Sequence, residues 1–287
     1  MINEDRKDWY TRAQEQTVEG FYREGADSLD EPQGGFLNLG YWDRKGMTYI
    51  EAAENMVRRM GDKLGLDEAS ALLDVGCGMG AQDVYLHRRV NPRTIDALDV
   101  TWSHVEKSRA RAKRSGIPED RLRFHHGTAV HLPFGDREFT HLLSIEAAEH
   151  FDTRDAFFHE AARVLRPGGV MALCDFLMAR EPEGPIDDLT AWAATRLCHV
   201  PRANIYGEQV YGRKLAAAGF TDVTFERVGA ATISGYFDHR ISRHRKGLDR
   251  VRGLAKSAAE GLLIDFVFYQ AFKVGLMDCI FIRAVRA

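Results

Sequence analysis

The residues best suited to chemistry lie in the run Ala71-Leu72-Leu73-Asp74-Val75-Gly76-Cys77-Gly78-Met79-Gly80. An apolar stretch that closes on an aspartate and passes into alternating glycines reads as a buried strand turning sharply into a helix. Glycine has no Cβ and tolerates positive φ, so Gly76, Gly78 and Gly80 let a ligand come close to the backbone. The helix expected next, Ala81 to Val90, brings its N-terminal N–H groups to the same place. Nineteen residues past Gly80, Thr94-Ile95-Asp96-Ala97-Leu98-Asp99 looks like a second strand ending in an acid. A carboxylate at that spacing can accept both hydroxyls of a ribose. The chemistry is that of a nucleotide-like ligand.

Two ligands compete for such a loop. A dinucleotide pattern, G-x-G-x-x-G/A, can be laid over Gly76, Gly78 and Ala81, which would make the chain an NAD-dependent oxidoreductase. Asp74 argues against it, because a pyrophosphate would have to approach that carboxylate. S-adenosylmethionine has no phosphate and carries a sulfonium and an ammonium, which an acidic strand end favours. Asp99 serves either cofactor; Asp74 selects S-adenosylmethionine.

Methyl transfer from a sulfonium is an in-line displacement in which the protein supplies alignment and keeps water out. An alcohol acceptor must also lose its proton, a task for a histidine with a pKa near ~6.5. His150 follows the fourth expected strand, on the edge where a pocket would open, and a nearby carboxylate such as Asp175 could orient it. The plainer readings are that His150 caps the helix starting near Thr153 and that Asp175 closes the fifth strand. Glu146 and Glu149 straddle the same connection, one toward the cofactor and the other toward solvent. His199 and Tyr206, and Trp42 from an aromatic loop upstream, are the candidates for touching substrate. His125 and His126 read as core and surface, and Cys77 as a residue chosen for its small size. The basic run His239 to Lys246, with Arg250 and Arg252 beyond, is either a solvated helix face or a contact for an anionic acceptor.

These residues need a framework, and strands alternate with helices along the chain. A polar helix over residues 4–25, with Trp9, Tyr10, Ala13, Phe21 and Tyr22 on its sparse apolar side, must pack on something, either the cofactor domain or a second subunit. The loop Gly34 to Asp43 is a lid or a hydrophobic plug. A helix over Tyr49–Leu64 ends near Gly65. Ser103-His104-Val105-Glu106 reads as the capping box of a basic helix. Strands follow at Arg121–Gly127, Thr140–Glu146 and Val170–Phe176, with a helix from Thr153 stopped by the turn signal Arg166-Pro167-Gly168-Gly169. Later strands fall at Thr221–Val228 and Cys279–Arg286. This alternation predicts a parallel, doubly wound sheet. The expected organisation is an N-terminal helical lid segment, 1–65, and a catalytic domain, 66–287, with cap insertions at 177–207 and 229–275 where substrate pockets are built.

A 45% hydrophobic fraction over 287 residues provides for an ample core, and a net charge of −3 exerts no pull toward nucleic acid or anionic membrane. The longest apolar run, Leu262 to Phe272, is too short to span a bilayer. The N-terminus shows no secretory signal. Cysteines 77, 174, 198 and 279 are scattered without a C-x-x-C, which suggests no zinc site and no disulfide framework. No metal is expected, so chelation by EDTA should leave activity unchanged, and a reducing cytoplasm is the expected compartment.

Taken together, LLDVGCGMG (72–80), LDV (98–100), LPFGDREFTHLLSIEAAEHF (132–151), RVLRPGGVMALCDF (163–176) and AAAGFTDVTFERV (216–228) resemble the class I S-adenosylmethionine-dependent methyltransferases. NLGYWD (38–43) is similar to the natural-product and sugar O-methyltransferase branch of that family. The resemblance implies a Rossmann-like, mostly parallel seven-stranded sheet with a C-terminal antiparallel strand and helical caps. It puts Asp74, Gly76, Gly78 and Gly80 around the methionine part of the cofactor, with Tyr41 approaching its tail. Asp99 and Val100 fall at the ribose, Thr128 and Ala129 beside the adenine, and Glu146 at the methyl-transfer region. Many relatives have an acid at the place of Thr128. His150 and Asp175 match the acceptor-side histidine and aspartate of the sugar enzymes. The expected reaction is methylation of a hydroxyl on a small natural-product or sugar-bearing acceptor. The alternative is methylation of a terpenoid or polyketide-derived carbon. No nucleic-acid or membrane partner is implied; the exposed-looking N-terminal helix, and not the resemblance, suggests a homo-oligomer.

Overall fold

A computed structural model describes residues 9–23, 34–246 and 258–287. Residues 4–8, 24 and 25 of the expected first helix, and Arg250 and Arg252 of the basic run, lie outside the described residues, as do the side chains of residues 9–13 and 21.

The glycine loop belongs to the sheet strand β1 (Ala71–Val75), buried at all five positions. Burial on both faces explains why it reads as an unbroken apolar run and not as an alternation. With β2 (Thr94–Asp99), β3 (Leu122–His126), β4 (Phe139–Ile145) and β5 (Leu165–Met178) it forms a parallel array. Two further strands, β6 (Phe220–Arg227) and β7 (Met277–Arg286), complete a sheet of order β3-β2-β1-β4-β5-β7-β6, with β7 antiparallel to both neighbours. The chain reverses its winding between β1 and β4, and a ligand crevice opens at the strand ends beside such a switch point.

Helices cover both faces. On one side α2 (Tyr49–Leu64), α3 (Ala81–Val90) and α4 (Trp102–Arg114) follow the first half of the chain; α5 (Arg154–Val164) and α7 (Glu208–Ala217) cover the other, and α1 (Trp9–Arg23) brings Tyr22 against His104 of α4. Three more, α6 (Pro185–Leu197), α8 (Ile233–Arg245) and α9 (Ala258–Lys273), lie within the two expected insertions. Although α2 falls in the segment expected as a lid, its Ala52, Ala53, Met56, Val57 and Met60 are fully buried. It is part of the core.

Two local expectations change. The capping box is at Thr48 and Glu51, where side chain and backbone exchange bonds at the start of α2, and Gly65 ends that helix in the left-handed region. The helix α4 instead begins at Trp102 with Thr101 as its N-cap and no side-chain cap bond, so Ser103–Glu106 is not a capping box. Arg166–Gly169 does not separate helix from strand either. The segment lies within β5, where Phe139 pairs Leu165 and His141 pairs Val170, so it is absorbed as a bulge.

Candidate active site

Two cavities open side by side at the C-terminal edge of the sheet. The smaller, about 100 Å³, lies between the glycine loop and the end of β2. Gly76 and Gly78 line it at φ 82° and 56°, and a Cβ on Gly76 would stand 2.4 Å from that of Ala147. The closeness of this turn to the β4 connection, not a ligand alone, demands glycine. Asp99 also lines the cavity, its carboxylate accepting from the N–H groups of Gly78 (2.9 Å) and Thr101 (2.8 Å). Val100, Thr128, Ala129 and Glu146 complete the sequence-expected wall.

Three expected cofactor residues lie elsewhere. Asp74 is fully buried behind the wall, where Gln82 donates to it, and it is Gln82 that faces the cavity. Burial drives the Asp74 carboxyl up to about 7, and Asp83 beside it is raised by the same cause. The carboxylate proposed to greet a cationic ligand therefore does not touch it. Gly80 serves packing, since a Cβ there would meet Ser108 and Phe124 within 2.9 Å. Tyr41 stacks under Arg59 and against Phe281, away from the lining. The aromatic loop does contribute through Gly35, Leu37 and Asn38, and is pinned from behind where the Tyr49 hydroxyl donates to the Asn38 carbonyl at 2.6 Å. It is plug and wall together.

The donor set fits S-adenosylmethionine for a reason the sequence did not supply. Among the described residues lining the smaller cavity are Glu15, Asp99, Glu146 and Asp152, and neither a lysine nor an arginine. Such a wall repels a pyrophosphate and favours a sulfonium and an ammonium. Buried His104 also lines it, with Nδ1 3.4 Å from an Asp99 oxygen but out of hydrogen-bond alignment; its ring nitrogens have no hydrogen-bond partner among the described residues. These are polar atoms waiting for a polar ligand beside the ribose-type carboxylate.

The larger cavity, about 210 Å³, is roofed by the insertions, with α6, α8 and α9 contributing mostly apolar and aromatic side chains. Its charged groups are largely neutralised internally: Arg240 pairs with Asp265 at 2.8 Å and Arg154 with Asp175 at 2.7 Å. Arg240 is the member of the basic run that reaches this cavity.

Tyr22, Leu37, Glu146 and His150 line both cavities, which makes them the partition between the two. Glu146, at φ 50° after β4, accepts from the Leu39 N–H at 2.9 Å, and burial pushes its carboxyl up to about 8. His150 Nε2 meets the Tyr22 hydroxyl at 3.0 Å, while Nδ1 has no hydrogen-bond partner among the described residues. Burial, reinforced by His199, lowers its pKa to about 4, so the imidazole is neutral at physiological pH.

Asp175 does not orient this histidine. One carboxylate oxygen is held by Arg154 and by the Phe176 N–H, the other by the Tyr211 hydroxyl at 2.7 Å. The carboxylate nearest to His150 is that of Glu149, 3.8 Å from Nε2 and buried, not solvated. The three substrate candidates also sit off the wall. Trp42 packs on His239 and donates to the Leu39 carbonyl; Tyr206 lies against Arg154 and Tyr211; and His199 offers its backbone carbonyl to Gln14 on α1. Of the wall residues that the sequence did not offer as site residues, Tyr22 was read as part of an apolar helix side and His104 as part of a capping box, while Gln82 is a single polar side chain inside a helix with no motif to mark it.

The comparisons with known proteins bear on family and fold. Residues 73–173 match the family model described as a methyltransferase domain. Over 261 residues the chain is 33% identical to the erythromycin 3''-O-methyltransferase of Saccharopolyspora erythraea, covering 85% of each chain. It is 35% identical over 159 residues to the 27-O-demethylrifamycin SV methyltransferase of Amycolatopsis mediterranei, covering 55% of this chain and 58% of that one. The geranyl diphosphate C-methyltransferase of Streptomyces coelicolor superposes with a TM-score of 0.69 at 18% identity, covering 93% of this chain and 98% of that one.

Proposed function

The chain belongs to the class I S-adenosylmethionine-dependent methyltransferases that act on small molecules, and from this premise we propose that its acceptor is a hydroxyl on an apolar, ring-bearing natural product. The observation that carries the reading is the shared partition. A cavity whose described lining holds acids and neither lysine nor arginine meets an apolar one at Tyr22, Leu37, Glu146 and His150. The two relatives, an erythromycin 3''-O-methyltransferase and a 27-O-demethylrifamycin SV methyltransferase, support the choice of oxygen.

Bound S-adenosylmethionine supplies an electrophilic methyl group on a sulfonium. Gly76 and Gly78 would border its methionine part and Asp99 would hold the ribose, and Glu146 is placed to take up positive charge, which would draw its raised pKa back down. The neutral imidazole of His150 accepts the acceptor's proton, and Tyr22 holds that ring from α1. The cap helices exclude water. Burial keeps His150 unprotonated through the neutral range but also weakens it as a base, so the imidazolium formed on proton transfer needs the Glu149 carboxylate 3.8 Å from Nε2 to hold its charge.

The test is to incubate the chain with S-adenosylmethionine and macrolides bearing sugars with free hydroxyls, and to follow S-adenosylhomocysteine and the methylated product. A methyl ether is expected. The aromatic lining of the larger cavity, Tyr236, Phe237 and Phe268, would also suit a cation formed during carbon methylation. Turnover of alkenes but not of alcohols, undiminished in His150→Ala, would establish that reading in its place.

A further inference from the structure

Cys174 and Cys279 are 105 positions apart in the chain, yet the diagonal register of β5 on β7 sets their sulfurs 3.6 Å apart. The Cys174 thiol donates toward Glu146 Oε1 at 3.8 Å, and the three potential ligand atoms lie within 4.8 Å of one another. Zinc–thiolate bonds of ~2.3 Å in a tetrahedral arrangement place two sulfurs about 3.8 Å apart, and a sulfur and a carboxylate oxygen about 3.5 Å apart. The unliganded triad is thus within a few tenths of an ångström of a zinc edge on both measured sides. The thiols themselves are fully buried, but Glu146 opens to both cavities and gives an ion its way in.

We propose that Glu146, Cys174 and Cys279 form a binding site for a thiophilic divalent cation, of which Zn²⁺ is the natural representative. Binding forms two metal–thiolate bonds and one metal–carboxylate bond and releases to solvent the proton of each thiol and that of the Glu146 carboxyl where it is protonated, leaving the fourth position for water. Because Glu146 is also part of the partition, a bound ion occupies the group that faces the donor cavity. The cation therefore opposes cofactor binding, and the site acts as an inhibitory one. This proposal does not depend on the identity of the acceptor.

The probe is Co²⁺ added to the full, reduced chain in metal-free buffer, followed by displacement with Zn²⁺. The expected result is a near-ultraviolet thiolate-to-cobalt band at one equivalent, with visible bands of tetrahedral cobalt, both lost on adding Zn²⁺. Cys174→Ser and Cys279→Ser should each weaken binding by more than the ~10–100-fold that loss of an outer-shell partner costs. A Cys77→Ser/Cys198→Ser double variant should keep the full band, and this arm decides the matter even if a strand-cysteine variant fails to fold. Calorimetry with S-adenosylhomocysteine should show Zn²⁺ weakening its affinity, reversed by EDTA. The proposal is overturned if no thiolate band appears, if the band is lost with Cys77 and Cys198, or if the two strand cysteines form a disulfide and exclude the metal.

Discussion

At the scale of single residues, the partition between the cavities separates roles that the sequence joined. His150 lines both cavities, whereas Asp175 is spent on Arg154 and Tyr211. Replacing His150 with Gln should lower kcat by ~10²–10⁴-fold, the usual worth of a positioned base, while calorimetric binding of S-adenosylhomocysteine is retained. Asp99→Ala should do the reverse, weakening that binding because it removes the acceptor for two N–H groups and for the ribose. Asp175→Asn has a different signature. It leaves the fully buried Arg154 guanidinium without its counter-charge, which costs about 3–5 kcal/mol, so urea midpoints should fall before any specific effect on kcat is seen. A stable Asp175→Asn protein with a His150-like loss of kcat would restore the orienting role.

At the scale of elements, α1 shows how a marginal helix is given a purpose. Val18 is buried, Gln14 donates to the carbonyls of His199 and His150, and Tyr22 reaches His150 Nε2, so the helix bridges both cavities by a few contacts at its inner side. Among its described side chains Val18 is the buried apolar one, and the rest of the helix's described hold on the partition is by hydrogen bonds from Gln14 and Tyr22. Removing the chain up to residue 33 should therefore lower affinity for S-adenosylhomocysteine more than it lowers the thermal midpoint. The helix α2 is the contrast, since it is inside the core and properly capped. Thr48→Ala should cost about 1 kcal/mol in urea denaturation, with ligand binding preserved. Both helices precede the glycine loop in the sequence, and α2 repeats buried residues at helical spacing, which fixes it in the core.

At the scale of the whole molecule, the sheet was legible because its inner strands are apolar runs bounded by glycines and acids, and the alternation with helices leaves few topologies. The glycine loop, Asp99 and the β4 connection were legible for the same reason: each sits at a strand end, and strand ends are where a doubly wound sheet gathers its ligands. What could not be read was side-chain commitment. Nothing in the spacing of Asp74 or Asp175 shows that Gln82 and Arg154 stand between them and the ligands, and Cys174 and Cys279 meet only through the register of β7. The same closure that hides these partners gathers raised and lowered pKa values around one partition, and this sets the response of the fold to pH. His150 has a folded pKa of about 4 against 6.5 unfolded; the unfolded chain takes up its proton first, so this residue's contribution is lost as pH falls from 6.5 to 4. Glu146, at about 8 folded against 4.5 unfolded, does the opposite: its contribution is full below 4.5 and is lost as pH rises toward 8. The two slopes offset each other between 4.5 and 6.5, and above 6.5 that of Glu146 stands without its counterweight. Between pH 6.5 and 8, urea unfolding of the ligand-free chain should therefore show a decline that Glu146→Gln reduces by about 2 kcal/mol, at ~1.4 kcal/mol per pH unit. An identical decline in the variant would mean that the Glu146 carboxyl ionises as an ordinary exposed acid, and that the partition between the cavities is wetter than the burial of its residues implies.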